Sequence, residues 1–157
     1  MGLDMYLTRC NRTDHTVEQL LAVDNIKTLN PETPEAAPFL PLRKYQWIDA
    51  HSIFHEAGYW RKANAIHGWF VENVQNGVDD CGYYELTKEI LDKMLEEVQT
   101  ALKTKNPNAF VPRAGFFFGS TAIDDWYWND LKATAEIIKK VLAEDWSKNR
   151  FFYHSSW

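Results

Sequence analysis

Between Thr87 and Lys103, the residues Ile90, Leu91, Met94, Leu95, Val98, Ala101 and Leu102 recur at helical spacing and make the cleanest apolar stripe in the chain. A stripe of this kind predicts an amphipathic helix, and such a helix has to bury its apolar face against another element. Two further segments read the same way. One runs from Phe54 to Gln75, with Trp60, Ala63, His67, Phe70, Val71 and Val74 on one side and Asn76-Gly77 as its stop. The other starts at a Ser120 or Thr121 cap and continues through Leu131, Ile138, Val141 and Leu142. Asp124 and Asp125 fall in its first turn, where the helix dipole favours carboxylates.

Strand patterns lie around these helices. From Gly2 to Cys10, Leu3, Met5 and Leu7 alternate with Asp4, Tyr6 and Thr8, which is the period of a half-buried strand. Lys44 to Ala50 alternates again, Phe116-Phe117-Phe118 reads as a short buried strand between Gly115 and Gly119, and Arg150 to Trp157 reads as a last strand. A short helix capped by Thr13 or Thr16 runs through Leu21, and a loop from Asn30 to Pro41 holds Pro31, Pro34, Pro38 and Pro41. No repeat, low-complexity tract or linker divides the chain. The expectation is a single α+β domain over residues 1–157. Its three main helices pack on a small, mostly antiparallel sheet built from N-terminal, middle and C-terminal strands.

Charge and composition narrow the function. The formal net charge is −5, from 17 basic and 22 acidic residues. A protein that binds polymeric nucleic acid normally carries a basic footprint, so that partner is disfavoured. A small anionic ligand is compatible, because it needs one or two local cations and some backbone N–H groups. Aromatic residues reach 15% of the chain, more rings than a core of this size needs, so some are expected in a pocket or at an interface. The same excess leaves a homo-oligomer open. No window approaches the roughly 18 apolar residues of a membrane span, and no signal pattern opens the chain. Met1-Gly2 resembles a myristoylation start, but Tyr6 stands where that motif needs Ser or Thr. Cys10 and Cys81 have no metal-ligand spacing, and the Asn11-Arg12-Thr13 sequon has no meaning without secretion. Reduced thiols in a cytoplasm are expected, with no membrane partner.

Several blocks resemble a family of small bacteriophage and prophage proteins. They are Met1-Gly2-Leu3-Asp4-Met5-Tyr6-Leu7, Tyr59 to His67 (YWRKANAIH), Trp69-Phe70-Val71-Glu72-Asn73 and Gly77-Val78-Asp79-Asp80-Cys81. Gly115 to Thr121 (GFFFGST) and Ser155-Ser156-Trp157 complete the set. The blocks span most of the chain and carry no catalytic residue set. The resemblance implies the cytoplasm of an infected bacterial host. By analogy with other small phage proteins, it also implies sequestration of a nucleotide-derived defence signal.

Three constellations could carry chemistry. Asn64 and His67 share an arc with Trp60, so either the core satisfies them or they floor a pocket, with Arg61 and Lys62 at its edge. Gly119-Ser120-Thr121 ahead of a helix could cradle a phosphate, or Ser120 or Thr121 could simply cap that helix. Asp79 and Asp80 with His67 could divide acid and base roles on a phosphoester. They could equally be turn residues, and no metal-ligand spacing or nucleophile motif accompanies them, so neither metal nor cofactor is expected. In Trp126-Tyr127-Trp128, neighbours sit ~100° apart on a helix, so at least one ring should leave the core. The leading expectation is therefore a non-enzymatic ligand binder using Trp60, Arg61, Asn64, His67, Arg113, Ser120 and Thr121. The rivals are an enzyme built on His67 with Asp79 or Asp80, and an inhibitor of a host protein.

Overall fold

A computed structural model describes residues 2–12, 54–107 and 109–157. The helix expected up to Leu21, the loop from Asn30 to Pro41 and the strand from Lys44 to Ala50 lie outside them. Strand β1 (Asp4–Asn11) pairs along its whole length with β4 (Asn149–Ser156), from Asp4 opposite Ser156 to Asn11 opposite Asn149. The two ends of the sequence thus form the middle of the sheet. Strand β2 (His55–Arg61) flanks β1 and strand β3 (Tyr84–Leu86) flanks β4, giving an antiparallel sheet in the order β2-β1-β4-β3. Among the described residues this sheet carries three helices, α1 (Asn64–Asn73), α2 (Lys88–Thr104) and α3 (Asp125–Leu142). The architecture is α+β, as the periodicities predict.

Alternation sorts the side chains of the sheet. Met5, Leu7, Trp60, Phe151 and Tyr153 face the helices and are buried. On the opposite face Tyr6 stacks on His154 with ring centroids 4.7 Å apart, and Tyr59 donates a hydrogen bond to Asp4. Helix α1 is the central piece of the core, since every residue from Asn64 to Val71 is buried. Phe70 lies flat on Tyr153 at 3.9 Å, and Trp69 stacks on Phe110 at 6.3 Å. Helices α2 and α3 close the core with Leu91, Met94 and Val98 from one and Leu131, Ala135 and Ile138 from the other. Thr87 caps α2 by accepting from Ile90 N–H at 3.2 Å, and Lys105 in the left-handed region ends it.

Three local expectations are corrected. The segment from Phe54 to Gln75 is not one helix but β2, a tight turn and α1. Gly58 and Trp60 point inward while Tyr59 and Arg61 point outward, so period 2 governs up to Arg61. The strand wins because β1 offers it a ladder and because Gly58 is a poor helix former. Lys62, at φ 57°, then turns the chain into α1. Phe116-Phe117-Phe118 is a turn rather than a strand, closed by Phe118 N–H donating to the Gly115 carbonyl at 3.1 Å. Gly115 is required there: a Cβ would sit 2.5 Å from the Phe118 ring. The cap of α3 is Asp124, which accepts from Tyr127 N–H at 3.1 Å, and not Ser120 or Thr121. Asp is as good an N-cap as Ser, and the helix starts where the cap stands nearest the apolar stripe.

Candidate functional site

The turn at Lys62 sets the start of α1 against the start of α3 and leaves a cleft of about 300 Å³ between them. Arg61, Lys62 and Asn64 line one side; Trp126, Tyr127 and Asp130 of α3 line another, and Gly119 and Ser120 close an end. Gly119 has φ 86°, and a Cβ on it would lie 3.3 Å from the Lys62 side chain, so glycine is what lets this loop approach.

Asn64 builds the wall rather than meeting a ligand. Its amide nitrogen donates to the carbonyls of Phe118 at 3.0 Å and Ser120 at 2.8 Å, and its amide oxygen accepts from Arg113 N–H at 3.1 Å. One side chain thus ties two loop segments to the first turn of α1. No side chain caps that turn, so the positive end of the helix dipole faces the cleft.

The cleft carries both signs of charge. Arg61 is largely exposed, with only a long contact of 3.8 Å to Asp4, and the Lys62 ammonium makes no ion pair among the described residues. Against them stand Asp124, occupied as the α3 cap, and Asp130. Burial pushes the Asp130 carboxyl up to about 6, with the nearby charge of Asp124 adding to it. Trp126 is 78% exposed, a large ring left in solvent at the mouth. Of the aromatic triplet, Tyr127 is buried with its hydroxyl donating to the Phe110 carbonyl at 2.9 Å, and Trp128 is half-buried.

The other sequence candidates separate. Trp60 is in the core, its indole N–H donating to Thr134 Oγ1 at 2.9 Å. Thr121 is exposed beside the cleft and does not line it, while Ser120 Oγ accepts from Ala122 N–H. Arg113 faces away, 3.4 Å from Glu72 and 3.8 Å from Asp79, along a shallower depression with Trp69 and Asn73. His67 has no solvent exposure at all. Its Nε2 meets Asp79 Oδ2 at 3.0 Å and its Nδ1 meets the Tyr153 hydroxyl at 2.7 Å. Desolvation lowers its pKa despite Asp79, so the ring is neutral, donating to Asp79 and accepting from Tyr153. Asp79 also accepts from the Trp157 indole at 3.1 Å, which fastens the last residue to the core. Asp80 is engaged elsewhere, with Tyr84 and the Gly82 N–H. Among the described residues no three His, Cys, Asp or Glu side chains converge as a metal site requires. No described helix is long and apolar enough to cross a membrane.

Sequence reasoning anticipated Arg61 and Lys62 at the edge of a pocket and named Asn64 and Ser120 as ligand residues, but it left Trp126 and Asp130 out of the site. The last two were legible in principle, being four apart on a helix and so on one face. The cleft and fold together define a class: an α+β protein with a mixed-charge, ring-walled pocket at an uncapped helix N-terminus. The chain matches no family model, no curated protein and no solved structure.

Proposed function

We propose that this protein binds a small phosphorylated ligand with a flat ring, of nucleotide type, in the cleft between α1 and α3. One observation carries the reading: Trp126, Arg61, Lys62 and the uncapped start of α1 converge on one cavity. The ring wall supplies stacking for a base, and the two cations with the positive end of the α1 dipole attract the phosphate. A volume of about 300 Å³ suits a mononucleotide, at the small end of ligand pockets. The function is binding rather than turnover, because His67 is sealed in the core with both nitrogens engaged and a general base must reach its substrate. The resemblance to small phage proteins extends the reading to sequestration of a host nucleotide signal.

A thermal-shift titration with guanosine and adenosine monophosphates tests it. A ligand that binds the native state alone raises the melting temperature by mass action. The shift is expected in the wild type, lost in Trp126→Ala and Lys62→Glu, and kept in the remote control Lys93→Ala. A shift that survives both cleft variants would overturn the assignment.

A second reading has its own observation. Phe116 is 96% exposed at the tip of its turn and Val111 is 66% exposed, which are unusual placements for large apolar side chains. They support a protein-inhibitor role, to which Phe116→Ser would be damaging and Trp126→Ala would not.

A further inference from the structure

Asp130 is the odd member of the cleft. A carboxylate has only acceptors, and this one has neither an ion pair nor a hydrogen-bond donor among the described residues. The group facing it from its own helix is Asp124, another acid, and the cations of the cleft, Arg61 and Lys62, come from the end of β2. Only its backbone carbonyl is used, accepting from Thr134 Oγ1 at 2.7 Å. Half-buried on the cleft wall with its acceptors turned to solvent and not to protein donors, this carboxylate can accept from a ligand that brings donors.

Its position relative to Trp126 narrows what those donors are. Four residues apart on α3, the ring and the carboxylate stand on one face, with Cβ atoms about 5–6 Å apart. A base stacked on Trp126 therefore presents an edge toward Asp130. The two coplanar oxygens of a carboxylate match two adjacent N–H donors. Adenine and cytosine each set a ring-nitrogen acceptor beside the amino group, which a carboxylate repels. Uracil offers one N–H between two carbonyls. Guanine alone of the common bases offers an imino N–H next to an amino group.

Resting on the nucleotide-binding reading above, we infer that Asp130 is a specificity-determining residue that reads the Watson–Crick edge of a guanine, so that the ligand is a guanine nucleotide. The cations at the far wall then take the phosphate.

The test is calorimetric titration of wild type and Asp130→Asn with guanosine, adenosine, inosine and xanthosine monophosphates at pH 7. The wild type is expected to prefer the guanosine over the adenosine compound by roughly tenfold or more, the usual worth of a bidentate base contact. Inosine monophosphate, lacking the amino group, falls between them. Asp130→Asn should lose the guanosine preference and gain affinity for xanthosine monophosphate, because its amide can donate to the carbonyl that replaces the amino group. That gain in affinity cannot arise from misfolding. Guanosine and adenosine compounds binding within about twofold of one another, both lost in Trp126→Ala, would overturn the base reading and leave the cleft assignment standing. Binding of none of the four to the wild type would overturn both.

Discussion

At the scale of single residues, the cleft and the core handle buried polarity in opposite ways. His67 and Asn64 are closed into the structure with their ring nitrogens and amide atoms partnered, while the Asp130 carboxylate has no partner among the described residues. That contrast has a measurable consequence. Burial, with the charge of Asp124 adding to it, pushes the Asp130 carboxyl up to about 6 in the folded protein, against an ordinary value of 3.8. The native state therefore holds its proton more tightly than the unfolded chain, and stability falls as pH rises from about 4 through about 6. The full difference is worth up to about 3 kcal/mol, and solvent around a partly exposed carboxyl reduces it to about 1 kcal/mol. Asp130→Asn, neutral throughout, should melt a few degrees above wild type at pH 8 and level with it at pH 4. Equal melting temperatures at pH 8 would show that the carboxylate is already compensated within the protein. A group that weakens the fold where it is charged, and that lines a cavity, is the pattern of a residue kept for a ligand.

At the scale of elements, legibility followed how strongly one period dominated. The stripe from Ile90 to Leu102 and the alternation from Leu3 to Leu7 each admit one reading, and α2 and β1 stand where they predict. The segment from Phe54 to Gln75 did not, because Trp60, Ala63 and His67 fit a helical arc while Gly58 and Trp60 fit a strand. Pairing with β1 decided it, and pairing partners are distant in sequence. The site inherited the error: with Trp60 and Arg61 placed on a helix, Arg61 and Lys62 could not be seen to end a strand at the cleft mouth. Gly58 shows the packing that fixes the observed answer. It lies under α3, and an added Cβ would come 2.4 Å from Ile137 Cγ2. Gly58→Ala should cost about 1–3 kcal/mol by overpacking, and Gly58→Ala with Ile137→Ala should recover part of the loss. Denaturant unfolding of the wild type, the two single variants and the double variant measures this. If the double variant were as unstable as the sum of the single ones, β2 and α3 would not be in contact there.

For the whole molecule, the decisive arrangement is the pairing of the two ends of the sequence at the middle of the sheet, which sets β4 between β1 and β3. The strand patterns near both ends announced strands without announcing that they are neighbours. This arrangement places His154 half-buried on the sheet face away from the helices. There it stacks between Tyr6 at 4.7 Å and Tyr83 at 4.0 Å, and burial drives its pKa down to about 4. His67, on the helix side, is also lowered, by burial beyond what Asp79 restores. Both rings are neutral in the native state and charge readily once unfolded. As pH falls below about 6.5 the unfolded chain takes up protons that the native state refuses, so stability declines down to about 4. Asp130 acts with the opposite sign over much of the same range, which partly masks the effect in the wild type. A comparison with His154→Phe removes that interference, because Asp130 is common to both proteins and the phenyl ring keeps the stack. The fall in melting temperature between pH 7 and pH 5 should be smaller in His154→Phe than in wild type. Identical falls would mean that His154 titrates near its ordinary value, and hence that its place between Tyr6 and Tyr83 does not desolvate it.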